Sequence, residues 1–163
     1  MMRKIVGAIV ALILLNVTAS GQDAGSLERL CERYEAENSD ATYIKVSQSM
    51  LAVAKVGMSR ESRKLVKAMN IKGMYIFSMK DSRSFPVSRF FEEAESVFSK
   101  SSFISLPQDE KMQKDGLHIY YLASGGRITN LFLLVAKDGE CSLTGIKVDM
   151  DPATAVSSLQ LLD

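Results

Sequence analysis

The sequence predicts an α+β domain with a single mixed, mostly antiparallel sheet and helices packed mainly on one face. Several segments repeat apolar residues at helical spacing. Three successive segments near the C-terminus are strand-like and joined by two-residue turns, which predicts a three-stranded meander. The order of these elements fits neither a regular βαβ alternation nor an all-β pattern.

Helical periodicity and β-branched runs define the elements of the first half. Ser26 is a good N-cap, Gly57 a good helix end and Pro86 a good first residue of a helix. Gly73–Met79 is apolar on both alternating sets, which predicts a strand inside the sheet. In chain order, we predict a helix over 26–38, a strand over Thr42–Val46, helices over 47–57 and 59–70, the strand Gly73–Met79, and a helix from Pro86 whose buried stripe ends at Phe98.

The second half is predicted to be mainly strand. Its predicted elements are a strand at Phe103–Leu106, a solvated loop over 107–116, strands at Leu117–Ser124, Ile128–Lys137 and Cys141–Asp149, and a last helix that Asp151 and Pro152 cap. That helix bears Ala155, Val156, Leu159 and Leu162.

The segment SGGR, Ser124–Arg127, is either a glycine loop that grips phosphate or a turn. A phosphate loop leads from a strand into a helix, but the strand-like ITNLFLLVA follows here. Gly125 and Gly126 instead suit the two positive-φ positions of a tight hairpin, as do Asp138 and Gly139. We therefore interpret both segments as turns.

Two-residue turns at these positions pair Ser124 with Arg127 and Lys137 with Glu140, and this register assigns every meander residue to a face. One face is nearly all apolar and is predicted to be the core under the helices. It carries Leu117, Ile119, Tyr121, Ala123, Ile128, Phe132, Leu134, Ala136, Cys141 and Leu143. The second face carries His118, Tyr120, Leu122, Leu131, Leu133, Val135, Thr144, Ile146 and Val148.

This second face is too apolar for a freely solvated sheet, and two interpretations stay open. Either a helix from the first half covers it, or it is a partner or dimer surface, since large exposed apolar patches mark interaction sites. The candidate interaction face is centred on Tyr120, Leu131 and Leu133 and includes Val135 and Ile146.

The N-terminus is typical of a secretory signal peptide. Two basic residues precede the apolar run Ile5–Leu15, and small residues follow it. The run is shorter than the ~20 apolar residues of a spanning helix. We therefore expect residues 1–21 to be removed before Gln22 and residues 22–163 to form a single domain, soluble and exported to the periplasm or the cell exterior.

The charge balance limits the classes of partner that we expect. The chain has 20 basic and 19 acidic residues, a net charge of +1, and removal of Arg3 and Lys4 brings the exported form to −1. Such a balance gives no electrostatic footprint for nucleic acid or an anionic membrane. The expected partner is an envelope protein or a second copy, with no nucleic acid and no membrane span after cleavage.

The two cysteines, Cys31 and Cys141, belong to predicted apolar faces. An oxidising compartment permits a disulfide between them, while apolar surroundings favour two buried thiols, and the sequence leaves both alternatives open.

Motifs for catalysis or for metal and cofactor binding are missing from the sequence. His118 is the only histidine, and no GxSxG elbow or SxxK pair occurs among the serines. Met50, Met58, Met69, Met74 and Met79 follow predicted core faces and are interpreted as gap-filling residues. We expect no catalytic residue, no metal and no cofactor.

The C-terminal run from KDGLHIYY through GGRITNLFLLVAKDGE to DMDPATAVSSL resembles a family of small exported bacterial proteins known as domain of unknown function 4252. The segments YIKVSQSMLAVA and IKGMYIFSM are similar to its central elements. The resemblance implies export and a single domain, and it assigns no catalytic residue. The expected function is that of a non-enzymatic envelope protein that binds a protein or itself; the alternative is a small hydrolase or thiol-dependent enzyme with a site assembled from loops.

Overall fold

The computed structural model describes residues 21–100 and 102–154. The predicted signal peptide lies outside the described residues apart from Gly21. So do the predicted apolar residues of the last helix, Ala155, Val156, Leu159 and Leu162. The start of that helix is capped as predicted, because Asp151 Oδ1 accepts a hydrogen bond from the Thr154 amide at 2.8 Å.

The described helices and strands follow the predicted order. The helices are α1 (Gly21–Glu37), α2 (Gln48–Ala54), α3 (Arg60–Ala68), α4 (Val87–Phe98) and α5 (Glu110–Lys114), and a 3₁₀ turn spans Lys55–Gly57. The strands are β1 (Thr42–Ser47), β2 (Gly73–Lys80), β3 (Ile104–Ser105), β4 (Leu117–Ser124), β5 (Arg127–Lys137) and β6 (Glu140–Met150). All pair antiparallel in one six-stranded sheet, in the order β1-β2-β6-β5-β4-β3. The predicted α+β class is confirmed.

Helices α1 and α4 pack on one face of this sheet, which we name the covered face. Phe77 of β2 stacks on Phe90 of α4 with ring centroids 4.4 Å apart, and Tyr34 of α1 meets Phe90 edge-on at 5.0 Å. A second stack joins Phe98 and Tyr120 at 3.9 Å. Aromatic rings of this size bury much apolar surface, so this layer supplies the main core.

Two predicted boundaries are wrong. Helix α1 already includes residues 21–25, before the predicted start at Ser26, and Ala24 in this turn packs against the core. The predicted loop over 107–116 contains α5, which begins where the Asp109 carboxylate accepts a hydrogen bond from the Met112 amide at 2.8 Å. Local capping forms a short helix there despite the charged, solvent-facing composition.

Strand β2 lies between β1 and β6, which confirms the interior position predicted for Gly73–Met79. Its two sides are nevertheless different. Tyr75, Phe77 and Met79 are buried, whereas Ile76 is exposed. The helices cover only one face, so an apolar residue on the other side of β2 remains in contact with solvent.

Both predicted hairpin turns are confirmed. Gly125 and Gly126 have φ of 58° and 75°, and Asp138 and Gly139 have φ of 53° and 75°. These left-handed values at both central positions are those of the tight turn that matches strand twist. The second hairpin keeps the predicted register from Lys137–Glu140 as far as the pair of Asn130 with Lys147.

The predicted register of the first hairpin is wrong beyond its second pair. Ala123 pairs with Ile128, but Leu122 pairs with Asn130, so Thr129 is an extra residue in β5. The Thr129 hydroxyl donates a hydrogen bond to the Leu122 carbonyl at 3.3 Å. A bulge of one residue transfers the side chains that follow it to the opposite face.

The bulge divides each predicted face of the meander. Phe132, Leu134, Ala136, Cys141 and Leu143 lie on the covered face as predicted. They are joined there by Tyr120 and Leu122, which were assigned to the second face. The residues that were wrongly assigned to the covered face are Leu117, Ile119, Tyr121, Ala123 and Ile128.

Candidate functional site

The sheet face turned away from α1 and α4, which we name the open face, is the candidate site. Its central row runs across five strands, because Ile44 is opposite Ile76, Ile76 is opposite Thr144, Thr144 is opposite Leu133, and Leu133 is opposite Ile119. Ile44 is 50% exposed and Ile76 is 39% exposed. Side chains this apolar and this exposed on adjacent strands form a patch, unlike singly scattered surface hydrophobics.

The rows on either side of the central row are also uncharged. They consist of Val46, Met74, Ile146, Leu131 and Tyr121 on one side, and of Thr42, Ser78, Ser142, Val135 and Leu117 on the other. Charge reappears at the end of the strands, where Lys80 Nζ pairs with Glu140 Oε1 at 3.1 Å. The open face is therefore an uncharged surface with a charged pair at one end of β2 and β6.

Burial of the open face is graded from one side to the other. Tyr121, Ala123, Ile128, Val148 and Met150 are buried. Two connecting segments pack around this buried part, the β1–β2 connection through Met69 and Ile71 and the β3–β4 connection through Leu106. The exposed part lies on β1 and β2, around Ile44 and Ile76.

The structure brings four of the five predicted interface residues together. Leu131, Leu133, Val135 and Ile146 all lie on the open face and are half-buried. Tyr120 does not, since the Thr129 bulge places it on the covered face, where it is buried against Phe98. Its assignment to this surface is wrong, because the prediction assumed an unbroken hairpin register.

Sequence reasoning missed the two exposed large apolar residues of the face, Ile44 and Ile76. Because Gly73–Met79 was interpreted as buried on both sides, the exposure of Ile76 was not predicted. In the strand TYIKVS, the apolar Ile44 lies between Tyr43 and Lys45, and apolar and polar residues occur on both sides of the strand. This even distribution was the available signal that neither side of the edge strand is fully core.

Carboxylates and tyrosines meet along α4 on the covered side. The Tyr34 hydroxyl donates to Glu93 Oε1 at 2.8 Å, and burial, together with this bond, raises the pKa of Tyr34 to about 12. Desolvation opposes ionisation of Glu93, but the Tyr34 bond and the charge of Arg33 hold its pKa below the usual range. Stable ionisation of this kind suits a structural ion pair more than a proton-transfer group.

A second contact of this kind joins α4 to β4. The Tyr120 hydroxyl donates to the Glu95 carboxylate, and His118 Nδ1 lies 4.0 Å from the same Glu95 oxygen. The His118 ring also packs edge-on against Phe91, with centroids 5.2 Å apart. Burial and the bond to Glu95 raise the pKa of Tyr120. These contacts fasten α4 to the sheet.

Both cysteines are buried in the core of the covered face and are free thiols. Burial raises the pKa of Cys141 to about 12. Burial also raises the pKa of Cys31, with smaller contributions from the charges of Glu28 and Cys141. A protonated, inaccessible thiol is a poor nucleophile. The disulfide that the sequence leaves open stays a prediction.

Among residues 21–100 and 102–154, no group of three or more His, Cys, Asp or Glu side chains is arranged to hold a metal ion. Over the same residues, no helix combines the length and apolar character needed to cross a membrane.

The fold and these contacts define a single-sheet α+β protein with one helix-covered face and one open, uncharged face. The chain belongs to the family described as Domain of unknown function (DUF4252), whose model matches residues 34–157. This match confirms the resemblance seen in the sequence. No curated protein and no solved structure matches the chain.

Proposed function

We propose that this protein is a non-enzymatic envelope protein, exported through its N-terminal signal peptide, that self-associates through its open face. The observation that carries the proposal is the exposed pair Ile44 and Ile76, continued by Leu133 in an uncharged row across the sheet. Burying these side chains against a second copy removes apolar surface from water.

The lack of charge on the open face favours a second copy as the partner. In a twofold interface the same patch meets itself, so a patch with a strong charge would repel its own copy. The three rows of the open face, which extend from β1 with Ile44 to β4 with Leu117, carry no charged side chain among the described strand residues. Two such faces pack together without any uncompensated buried charge.

The area of the face predicts reversible association. Five strands about 4.8 Å apart and five residues of about 3.4 Å each outline at most about 400 Å², since the part around Tyr121 is already buried. This matches the large functional patches of monomeric proteins but is about half of what each partner buries in a standard-sized interface. We therefore expect a concentration-dependent dimer.

The chemistry of the remaining side chains supports a binding role over catalysis. The two thiols are buried with raised pKa values, and the carboxylates along α4 are engaged by Tyr34 and Tyr120. Catalysis by a nucleophile requires an accessible group next to a base. In the described contacts, the Tyr34–Glu93 bond instead joins α1 to α4, and the Tyr120–Glu95 bond joins α4 to β4.

A charge placed at the centre of the face tests the proposal. Ile76→Lys should give a folded monomer, because burying an unpaired ammonium in the interface is costly. Its matched control, Ser88→Lys, adds the same charge on exposed α4 and should dimerise like the wild type. Sedimentation over a concentration series measures the association, and circular dichroism verifies the fold.

A wild-type protein that stays monomeric throughout the series would contradict self-association. An unchanged dimer of Ile76→Lys would place the interface elsewhere. Crosslinking from position 76 in intact cells identifies another envelope protein if that is the true occupant.

A further inference from the structure

The connection between β1 and β2, residues 48–72, differs in charge from the rest of the chain. It holds six of the 20 basic residues and one of the 19 acidic residues. The cations are Lys55, Arg60, Arg63, Lys64, Lys67 and Lys72, and the acid is Glu61. The near-neutral balance of the whole protein therefore conceals a strongly basic segment.

Most of these cations are available to a partner. Lys72 Nζ lies 3.8 Å from Asp149 Oδ2. None of the other five pairs with a carboxylate within the described part of the chain. Four of them, on α3, are exposed and lie within eight consecutive positions from Arg60 to Lys67. Such a cluster attracts anions in proportion to its excess charge.

The same connection exposes apolar side chains. Met50 is 52% exposed, so its predicted place on a core face is wrong, and Val53 is 76% and Val56 85% exposed. They are spaced three residues apart along α2 and the following 3₁₀ turn, so they lie on one side of it. Together with Ile44 and Ile76 at the adjoining strands, they are the large hydrophobic residues most exposed in the described chain.

The connection is folded and anchored to the domain. Ser47 caps α2 by accepting a hydrogen bond from the Met50 amide at 3.3 Å, and Ser59 caps α3 by accepting one from the Ser62 amide at 3.1 Å. Leu51 is buried, and the Lys72 amide donates to the Lys147 carbonyl at 2.8 Å. The exposed apolar and basic groups are thus presented on a fixed support.

We propose that this connection docks the protein on an anionic phospholipid surface. Met50, Val53 and Val56 enter the boundary between headgroups and acyl chains, and the cations of α3 meet the lipid phosphates. Exposed apolar side chains beside a Lys- and Arg-rich helix are the pattern by which helices bind the interface without spanning the bilayer. This proposal rests on a different observation from the open-face dimer.

Vesicle sedimentation tests the docking, with phosphatidylcholine vesicles that contain or lack phosphatidylglycerol. Each variant is purified from cells in the form that remains after any processing, so that all variants have the same N-terminus. The wild type should bind the anionic vesicles more tightly than the neutral ones, and added salt should weaken binding, because salt screens exposed charges.

Two double variants separate the charged and apolar contributions. Lys64→Gln with Lys67→Gln should weaken binding about 25-fold, since each cation near an anionic surface contributes about fivefold. The matched control Lys111→Gln with Lys114→Gln removes two cations from α5 and should bind like the wild type. Val53→Ser with Val56→Ser should weaken binding about tenfold or more, since apolar burial contributes to interfacial affinity.

Equal binding to both vesicle types, or equal loss in the α3 and α5 variants, would overturn the proposal. So would a serine variant that binds as the wild type does, since cations alone then suffice, as they do for a polyanion such as duplex DNA. Ile76→Lys keeps vesicle binding if only the dimer depends on that residue, so failure of the proposed dimer and failure of docking are distinguishable.

Discussion

The two faces of the one sheet differ in what their apolar residues do. On the covered face, Phe77 has no solvent exposure and packs against Phe90. The preceding residue on the same strand, Ile76, is 39% exposed on the open face. Both are large and apolar, and both lie in β2. The difference shows that hydrophobicity alone does not tell which strand residues are buried in the monomer, because burial depends on which helices and connecting segments pack over them.

The largest expected effect comes from truncating this neighbouring pair. Phe77→Ala should lower the free energy of unfolding by about 3–5 kcal/mol, because it leaves a cavity in the core. Ile76→Ala should cost about 1 kcal/mol or less, since that side chain is already partly in water. Chemical denaturation at a concentration below dimer formation measures both.

Similar losses for the two variants would contradict the contrast between the faces. A second measurement of Ile76→Ala at high protein concentration tests the contrast further. The substitution should then cost more stability only if a dimer forms, because a dimer buries the Ile76 side chain.

The covered face should also make stability depend on alkaline pH. The pKa of Cys141 rises from 9.0 to about 12 in the folded state, so the folded chain keeps a proton that the unfolded chain releases. The stabilisation is complete below pH 9 and is lost as pH rises through 12. Each pH unit inside this window should lower the unfolding free energy by about 1.4 kcal/mol for this group.

Denaturation at several alkaline pH values, on the wild type and on Cys141→Ala, isolates this contribution. The variant should show a shallower decline, and identical declines would mean that Cys141 is not protected. Alkylation of unfolded, unreduced protein is the companion measurement: two labelled thiols agree with the free cysteines of the structure, and none indicates the Cys31–Cys141 bridge.

The smallest expected effect distinguishes two tyrosines that are both on the covered face. Tyr120→Phe removes a hydroxyl that donates to Glu95 and should cost about 1–2 kcal/mol. Tyr75→Phe removes a buried hydroxyl that has no hydrogen-bond partner among the described residues, so it should be neutral or stabilising by up to about 1 kcal/mol.

Thermal or chemical denaturation of the two variants gives the comparison. A larger loss for Tyr75→Phe than for Tyr120→Phe would show that the Tyr75 hydroxyl has a partner and that the covered face is less apolar than its contacts indicate.

Much of the fold could be predicted because its signals are local. Gly125-Gly126 and Asp138-Gly139 mark turns through their tolerance of positive φ, and the periodicity of Val87, Phe90 and Ala94 marks the buried side of α4. The candidate site could be predicted only in part. Four of its five predicted residues lie on the open face, but the neighbouring Ile44 and Ile76 were missed.

The charge pattern is a second feature that sequence reasoning predicted only in part. A whole-chain count near zero gave no reason to expect a membrane surface as a partner, and the proposed docking segment emerges only when residues 48–72 are considered alone. Their exposure could not be predicted, because Leu51 and Val53 have the same hydrophobic character and opposite burial.

The sequence by itself determined the α+β class, the two turns, the chain order of the elements and the family, because backbone conformation and apolar periodicity are properties of neighbouring residues. Only the tertiary structure decided that Tyr120 lies under α4 while Ile119 and Tyr121 do not. That choice depends on one extra residue, Thr129, which pairs with neither adjoining strand. A bulge is stabilised by contacts between strands, so the residues along one strand do not reveal it.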